Sequence, residues 1–256
     1  MIIDSHSHYD DEAFDEDRET LLSSLEENGI ECIVNIGANV ARSRLSIELS
    51  EKHQRVYATV GVHPDDVEEL NDDKFEELRK LSLHEKVVAI GEIGLDYSRE
   101  EFNKDLQKKW FLAQLDLAKE RNLPVVIHSR DAAKDTLDLL KGQHGEGQKG
   151  IIHCYSYSVE IAREFLSLGY YFGIGGVVTF KNAVKLKEAV REIPLERIVL
   201  ETDCPYLAPT PFRGKRNDSK FLNYIVEEIA NLKGIKPKEV MQITTENTKL
   251  IYQLKE

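Results

Sequence analysis

MIIDSHSHYD, residues 1–10, passes from an apolar run straight into two histidines standing two apart. If Ile2 and Ile3 open a buried strand, side chains at i and i+2 share a face. His6 and His8 then leave the strand's C-terminal end side by side, a geometry that suits a shared cation. The plain alternative is a polar strand end with two solvated rings. The same stretch bears on the fold. Seven further apolar runs rich in Val and Ile follow it: CIVNIG at 32–37, VYATVGV at 56–62, VVAIGEIG at 87–94, LPVVIH at 123–128, GIIHC at 150–154, YYFGIGG at 170–176 and RIVLETD at 197–203. Near-continuous apolar character marks strands buried on both faces. A doubly wound, dinucleotide-binding sheet would carry a glycine-rich loop after its first strand, where this chain has SHSH.

Amphipathic stretches separate these runs. The pattern predicts helices over 17–28, 40–52, 66–81, 100–121, 131–141, 159–168, 182–192 and 218–232, with one more near 237–253. Gly29 and Gly169 stand just past helix ends, and Pro124 at a strand start. Eight alternating units in 256 residues predict a (β/α)₈ TIM barrel with an extra C-terminal helix, one domain over residues 1–256. With 41% hydrophobic and 31% charged residues the chain is not a disordered one. No basic-then-apolar leader or membrane-length run is visible. Three widely spaced cysteines, Cys32, Cys154 and Cys204, without a C-x-x-C pair, predict a reduced, cytoplasmic setting. A net charge of −12 excludes coating nucleic acid by bulk electrostatics, though not binding a phosphodiester at one local cationic spot. No obligate protein partner is expected.

Barrel enzymes build their sites where strands end. Here the ends carry His6 and His8, then His63, then Glu92 and Asp96, then His128, Arg130 and Asp131, then His153, and finally Glu201 and Asp203. Five of the eight histidines fall there, leaving His53, His84 and His144 in helices or loops. Imidazoles and carboxylates bind divalent metals without help from a thiolate. His6, His8, His128 and His153 with Glu92 and Asp203 suffice for two ions per chain (Mg, Mn, Zn or Ni) if Glu92 bridges them. Asp203 can also accept the proton of an attacking water. Each residue has a blander role open to it: solvated rings, a core histidine, a Glu92 ion pair, a loop cap at Asp203. A charge within VVAIGEIG nevertheless requires a cation of some kind. Alternation along the strands points Cys154 and Cys204 away from the site, as packing residues. Glu201 lies deeper and is as readily structural as catalytic.

In order and spacing, DSHSH, GVHP, GEIGLDY, PVVIHSRDA, IIHCYS and ETDCPYLAP resemble the TatD-type metal-dependent hydrolases of the amidohydrolase superfamily, from Ile2 to about Asn247. The resemblance implies a barrel with a two-metal site and, in several members, deoxyribonuclease activity. It implies that His6 and His8 bind the first metal, that Glu92 bridges, and that His128 and His153 bind the second. Asp203 completes the first site and serves as general base, and His63 contacts substrate phosphate. PTPFRGKRN at 209–217 is similar to the family's PxPxRGKxN segment; it puts Arg213, Lys215 and Arg216 among the expected substrate contacts, with Arg130. HCYSYS at 153–158 departs from the family's HCFSG, so the loop after strand six is expected to differ.

Three functions follow. The leading one is a metal-dependent hydrolase of DNA that trims single strands from an end. The second is hydrolysis of a cyclic amide or an aminoacyl-RNA ester, since fold and metals do not fix the substrate; Glu92, where many amide-hydrolysing relatives use a carboxylated lysine, points to the phosphodiesterase branch. The third is metal binding without turnover, which a complete ligand set with Asp203 disfavours.

Overall fold

Each apolar run becomes a strand in the computed structural model, which describes residues 1–142 and 145–254. His144, expected in a helix or loop, lies outside the described residues. The strands are β1 (Ile2–Ser7), β2 (Ile30–Asn35), β3 (Val56–Val60), β4 (Val87–Asp96), β5 (Val125–Arg130), β6 (Gly150–Ile152), β7 (Tyr171–Ile174) and β8 (Ile198–Leu200). Each pairs in parallel with the next in sequence order. Closure comes from chain just past β8: Asp203 N–H donates to His6 O at 2.9 Å, and His8 N–H to Cys204 O at 2.8 Å. The result is a nearly closed (β/α)₈ barrel.

Helices α1 (Arg18–Ser23), α2 (Val40–Lys52), α3 (Asp72–Leu81), α4 (Lys104–Arg121), α5 (Ala133–Lys141), α6 (Val159–Ser167), α7 (Val184–Glu192) and α8 (Leu222–Lys233) cover the strands, followed by α9 (Pro237–Tyr252). Several start later than the hydrophobic pattern predicts, for a local reason. Asn71 and Asn103 accept hydrogen bonds from the backbone of Lys74 and Leu106, which fixes where α3 and α4 begin. The stretch Pro64–Glu69 is instead a 3₁₀ turn, and Ser219–Phe221 is another before α8. The expected first helix, 17–28, ends at Ser23, and turns carry the chain to Gly29.

Two apolar layers result. The larger lies between strands and helices. The smaller fills the barrel's lower interior: Val34, Ile36, Val88, Val126, Ile151, Tyr171 and Val199, with Ile251 and Tyr252 of α9 packed against them. The extra helix is therefore a plug for the N-terminal end, and Tyr252 Oη donates to Ser5 O at 2.9 Å. No described helix is long and apolar enough to cross a membrane. The opposite, C-terminal end is left polar.

Candidate metal centre at the barrel mouth

β6 and β8 are short, so His153 and Asp203 sit just past their ends, each still held by one backbone bond, His153 N–H to Ile127 O and Asp203 N–H to His6 O, both at 2.9 Å. Asp131, Cys154 and Asp203 all take left-handed φ, at 53°, 46° and 56°. β4 instead runs on to Asp96 because Gly94, at φ 145°, has no Cβ; one there would lie 1.9 Å from His128 O. That close approach brings Glu92 and Asp96 against His128 of the neighbouring strand.

The candidate ligands converge. His6 Nε2 and His8 Nε2 stand 3.2 Å apart, with Asp203 Oδ1 3.7 and 3.4 Å from them. Glu92 divides its two oxygens: Oε2 faces His6 Nε2 at 3.5 Å, while Oε1 faces His128 Nδ1 at 2.8 Å and the Nε2 atoms of His63 and His153, each at 3.8 Å. His153 Nε2 is also 3.8 Å from Asp203 Oδ1, and its ring stacks on His6 at 3.4 Å. Two donors on one ion at ordinary zinc distances stand roughly 3.0–3.4 Å apart. The atoms of His6, His8 and Asp203 are close to that spacing; a looser group joins His128 and Glu92 with His63, not with the His153 that the resemblance implied as its partner, whose ring lies 6.5 Å from that of His128. All are nitrogen or oxygen donors suited to a divalent ion.

Electrostatics favour the same conclusion. Burial alone would raise Glu92, but the imidazoles of His153, His63, His128 and His6 hold it well below the usual carboxylate range. Burial is likewise outweighed at Asp203, kept low by His8, His153 and His6. In return, His8 is lifted against burial to about 9 by Asp203, and His128 to about 9 by Asp96 and Glu92. Burial would lower His153 too, but Glu201 and Glu92 carry it to about 10. The carboxylates draw positive charge, as protons on His8, His128 and His153 or as divalent ions, which would be held by His6, His8, Glu92, His128, His153 and Asp203.

Two carboxylates orient these ligands. Glu201 accepts from His153 Nδ1 at 3.1 Å and from Cys154 N–H at 2.7 Å; Asp96 faces His128 Nε2 at 2.9 Å and accepts from the Ser98 backbone and hydroxyl. The sequence shows both as strand-end acids, but their partners lie on other strands. His6 Nδ1 has no hydrogen-bond partner, so its ring is held by stacking on His153 and through Nε2, which faces His8 and Glu92. His63 Nδ1 accepts from the Asp65 N–H at 3.1 Å. In the neutral ring, which burial favours by taking its pKa down to about 3, the proton sits on Nε2 and faces the cavity.

Some expectations need correction. Cys154 does not point away: its left-handed φ breaks the alternation, and Sγ lies within 4.8 Å of the ligand atoms of His153 and Asp203. Burial keeps it a thiol. Cys204 is buried, as expected of a packing residue. Arg213, Lys215 and Arg216 do not line the cavity. Arg216 pairs with Asp17 and lies over the Phe14 ring, Arg213 lies over Phe180, and Lys215 is exposed. The cavity, about 620 Å³, is lined instead by Arg42, Arg99 and Arg130, alongside Asp10, Asp65 and Tyr206. Arg42 is paired with Asp10 and Arg99 with Asp65, whereas the exposed Arg130 has no ion pair among the described residues. In the loop that departs from HCFSG, the Tyr157 hydroxyl holds Ser129 Oγ at 3.0 Å and the Ala132 N–H at 3.2 Å, bracketing Arg130.

A barrel with imidazoles and carboxylates gathered around cation positions at its mouth is the build of a metal-dependent hydrolase. Residues 3–253 match the family described as TatD related DNase, and the chain belongs to it. It is 43% identical over 254 residues to YabD, an uncharacterized metal-dependent hydrolase of Bacillus subtilis, covering 99% of this chain and 100% of that one. Identity to YcfH of Escherichia coli, named likewise, is 34% over 257 residues, covering 99% and 96%. The crystal structure of YJJV, a TatD homologue from Escherichia coli, superposes with a TM-score of 0.90 at 30% identity, covering 99% and 98% of the two chains.

Proposed function

We propose that this hydrolase cleaves phosphodiester bonds in DNA, removing nucleotides from the end of a single strand with two divalent ions. The observation that carries the reading is Glu92, whose two oxygens face different sets of imidazoles, as a bridging carboxylate does. When bound, such ions polarise the scissile phosphate and lower the proton affinity of water. Asp203, ionised at neutral pH, accepts the proton of the attacking water. His63 donates its Nε2 proton as a hydrogen bond to a phosphate oxygen, and Arg130 holds the adjoining phosphate. Glu201 and Asp96 keep two ligand rings in register.

Charge at the mouth supports action at an end. The mouth carries Asp10, Asp11, Asp65 and Asp66, and Arg130 is its one arginine without a carboxylate partner among the described residues. That suits one or two phosphates and repels a long polyanionic tract. The test is incubation of an end-labelled single-stranded oligodeoxynucleotide with protein loaded with Mg, Mn, Zn or Ni. Stepwise shortening is expected, stopped by chelation and reduced at least about 100-fold by Glu92→Gln. DNA left intact under all four metals, with turnover of a cyclic amide or aminoacyl-RNA instead, would replace this reading with the other.

A further inference from the structure

Imidazoles, carboxylates and arginines make up most of the cavity lining, with Ala38, Asn39 and one other ring, that of Tyr206. Tyr206 is 54% exposed, among the largest apolar exposures in the molecule. An exposed tyrosine ordinarily swings between rotamers, but this one has its backbone tied at two points and its hydroxyl at a third. Its N–H donates to Asp203 O at 2.9 Å, its carbonyl accepts from Asn217 Nδ2 at 2.7 Å, and its hydroxyl donates to Asp11 Oδ2 at 2.9 Å. The first of these bonds joins the backbone of Tyr206 to that of Asp203, the proposed general base, and the last is the one that holds the ring. Its centroid lies 6.4 Å from the His8 ring at 63°, so it stands beside the metal centre without stacking on it. Hydrogen bonds thus hold an apolar face open to water next to the reacting groups, with Arg130 across the same cavity.

We infer that the Tyr206 ring is the platform on which the nucleobase next to the scissile phosphate stacks. This rests on the DNA reading above and deepens it. The site takes a nucleotide whose base is unpaired: its phosphate goes to the carboxylate and imidazole cluster, and its base lies on the ring. Every base has a flat π-face, so the platform is tolerant of sequence but intolerant of a missing base. A base inside a duplex has both faces covered and its phosphate held in the helix, so the platform favours single strands and frayed ends.

The test compares manganese-loaded protein on two end-labelled single strands, one intact and one with an abasic tetrahydrofuran at the terminal nucleotide. Wild type is expected to prefer the intact strand about 5- to 100-fold in kcat/KM. Tyr206→Leu is expected to lose that preference, and Tyr206→Phe, which keeps the face but loses the bond to Asp11, to keep part of it. A second readout needs no variant: 2-aminopurine deoxyribonucleoside monophosphate is expected to lose fluorescence on binding wild type, as a stacked base does. Equal cleavage of the two strands by wild type, or an undiminished preference in folded Tyr206→Leu, would overturn the inference while leaving the nuclease reading intact. Should Tyr206→Leu not fold, unquenched 2-aminopurine on bound wild type would overturn it by itself. Cleavage of neither strand would remove the nuclease reading and this inference together.

Discussion

Glu201 and Asp96 touch no substrate in this account, yet they set the orientation of His153 and His128. Glu201→Gln keeps the shape and loses the charge; metal affinity is expected to fall about 10- to 100-fold by equilibrium dialysis, with little change in the melting temperature of the metal-free protein. The titration of the ligand rings gives a second expectation. In the metal-free site His8 and His128 hold protons up to about 9. Ions must displace those protons, so affinity is expected to rise from pH 6 to about 9, and calorimetry in buffers of different ionisation heat should register proton release at neutral pH. Flat affinity over that range would contradict the assigned ligands. The candidate ligands were legible because residue type and strand-end position coincide at His6, His8, Glu92, His128, His153 and Asp203. What was not legible depends on contacts remote in sequence or on single dihedral angles. Arg216 is drawn off by Asp17, and one left-handed residue turns Cys154 toward the site.

At the scale of elements, the strands announce themselves because burial on both faces leaves continuous apolar runs, while helix starts depend on single capping residues such as Asn71 and Asn103. Close packing between strands is written in glycine. A Cβ on Gly173 of β7 would lie 2.0 Å from Glu201 Oε2, in the space that lets Glu201 reach His153. Gly173→Ala is therefore expected to cost about 1–3 kcal/mol by denaturant unfolding. It should also weaken metal binding, because the carboxylate must move. Unchanged stability together with unchanged affinity would show that Glu201 is not held there.

For the whole molecule, the barrel divides its labour between two ends. The lower end is plugged by Ile251 and Tyr252 on α9, the upper end holds the charge. Tyr252→Ala is expected to destabilise by about 3–5 kcal/mol while leaving the metal content of the folded protein unchanged. Conversely, chelation is expected to lower the melting temperature, since the ions bind the folded chain and not the unfolded one. The fold and the site at its upper end meet in one claim, that two ions shared through Glu92 serve phosphodiester hydrolysis with Asp203 as base. The most direct test is elemental analysis of the purified protein joined to hydrolysis of end-labelled single-stranded DNA by wild type and Asp203→Asn. The expected result is two metals per chain in wild type, progressive shortening of the strand, and about a 100- to 10,000-fold loss of turnover in a folded Asp203→Asn that keeps bound metal. Full nuclease activity with one metal per chain or none, or DNA left intact by the two-metal protein, would contradict it.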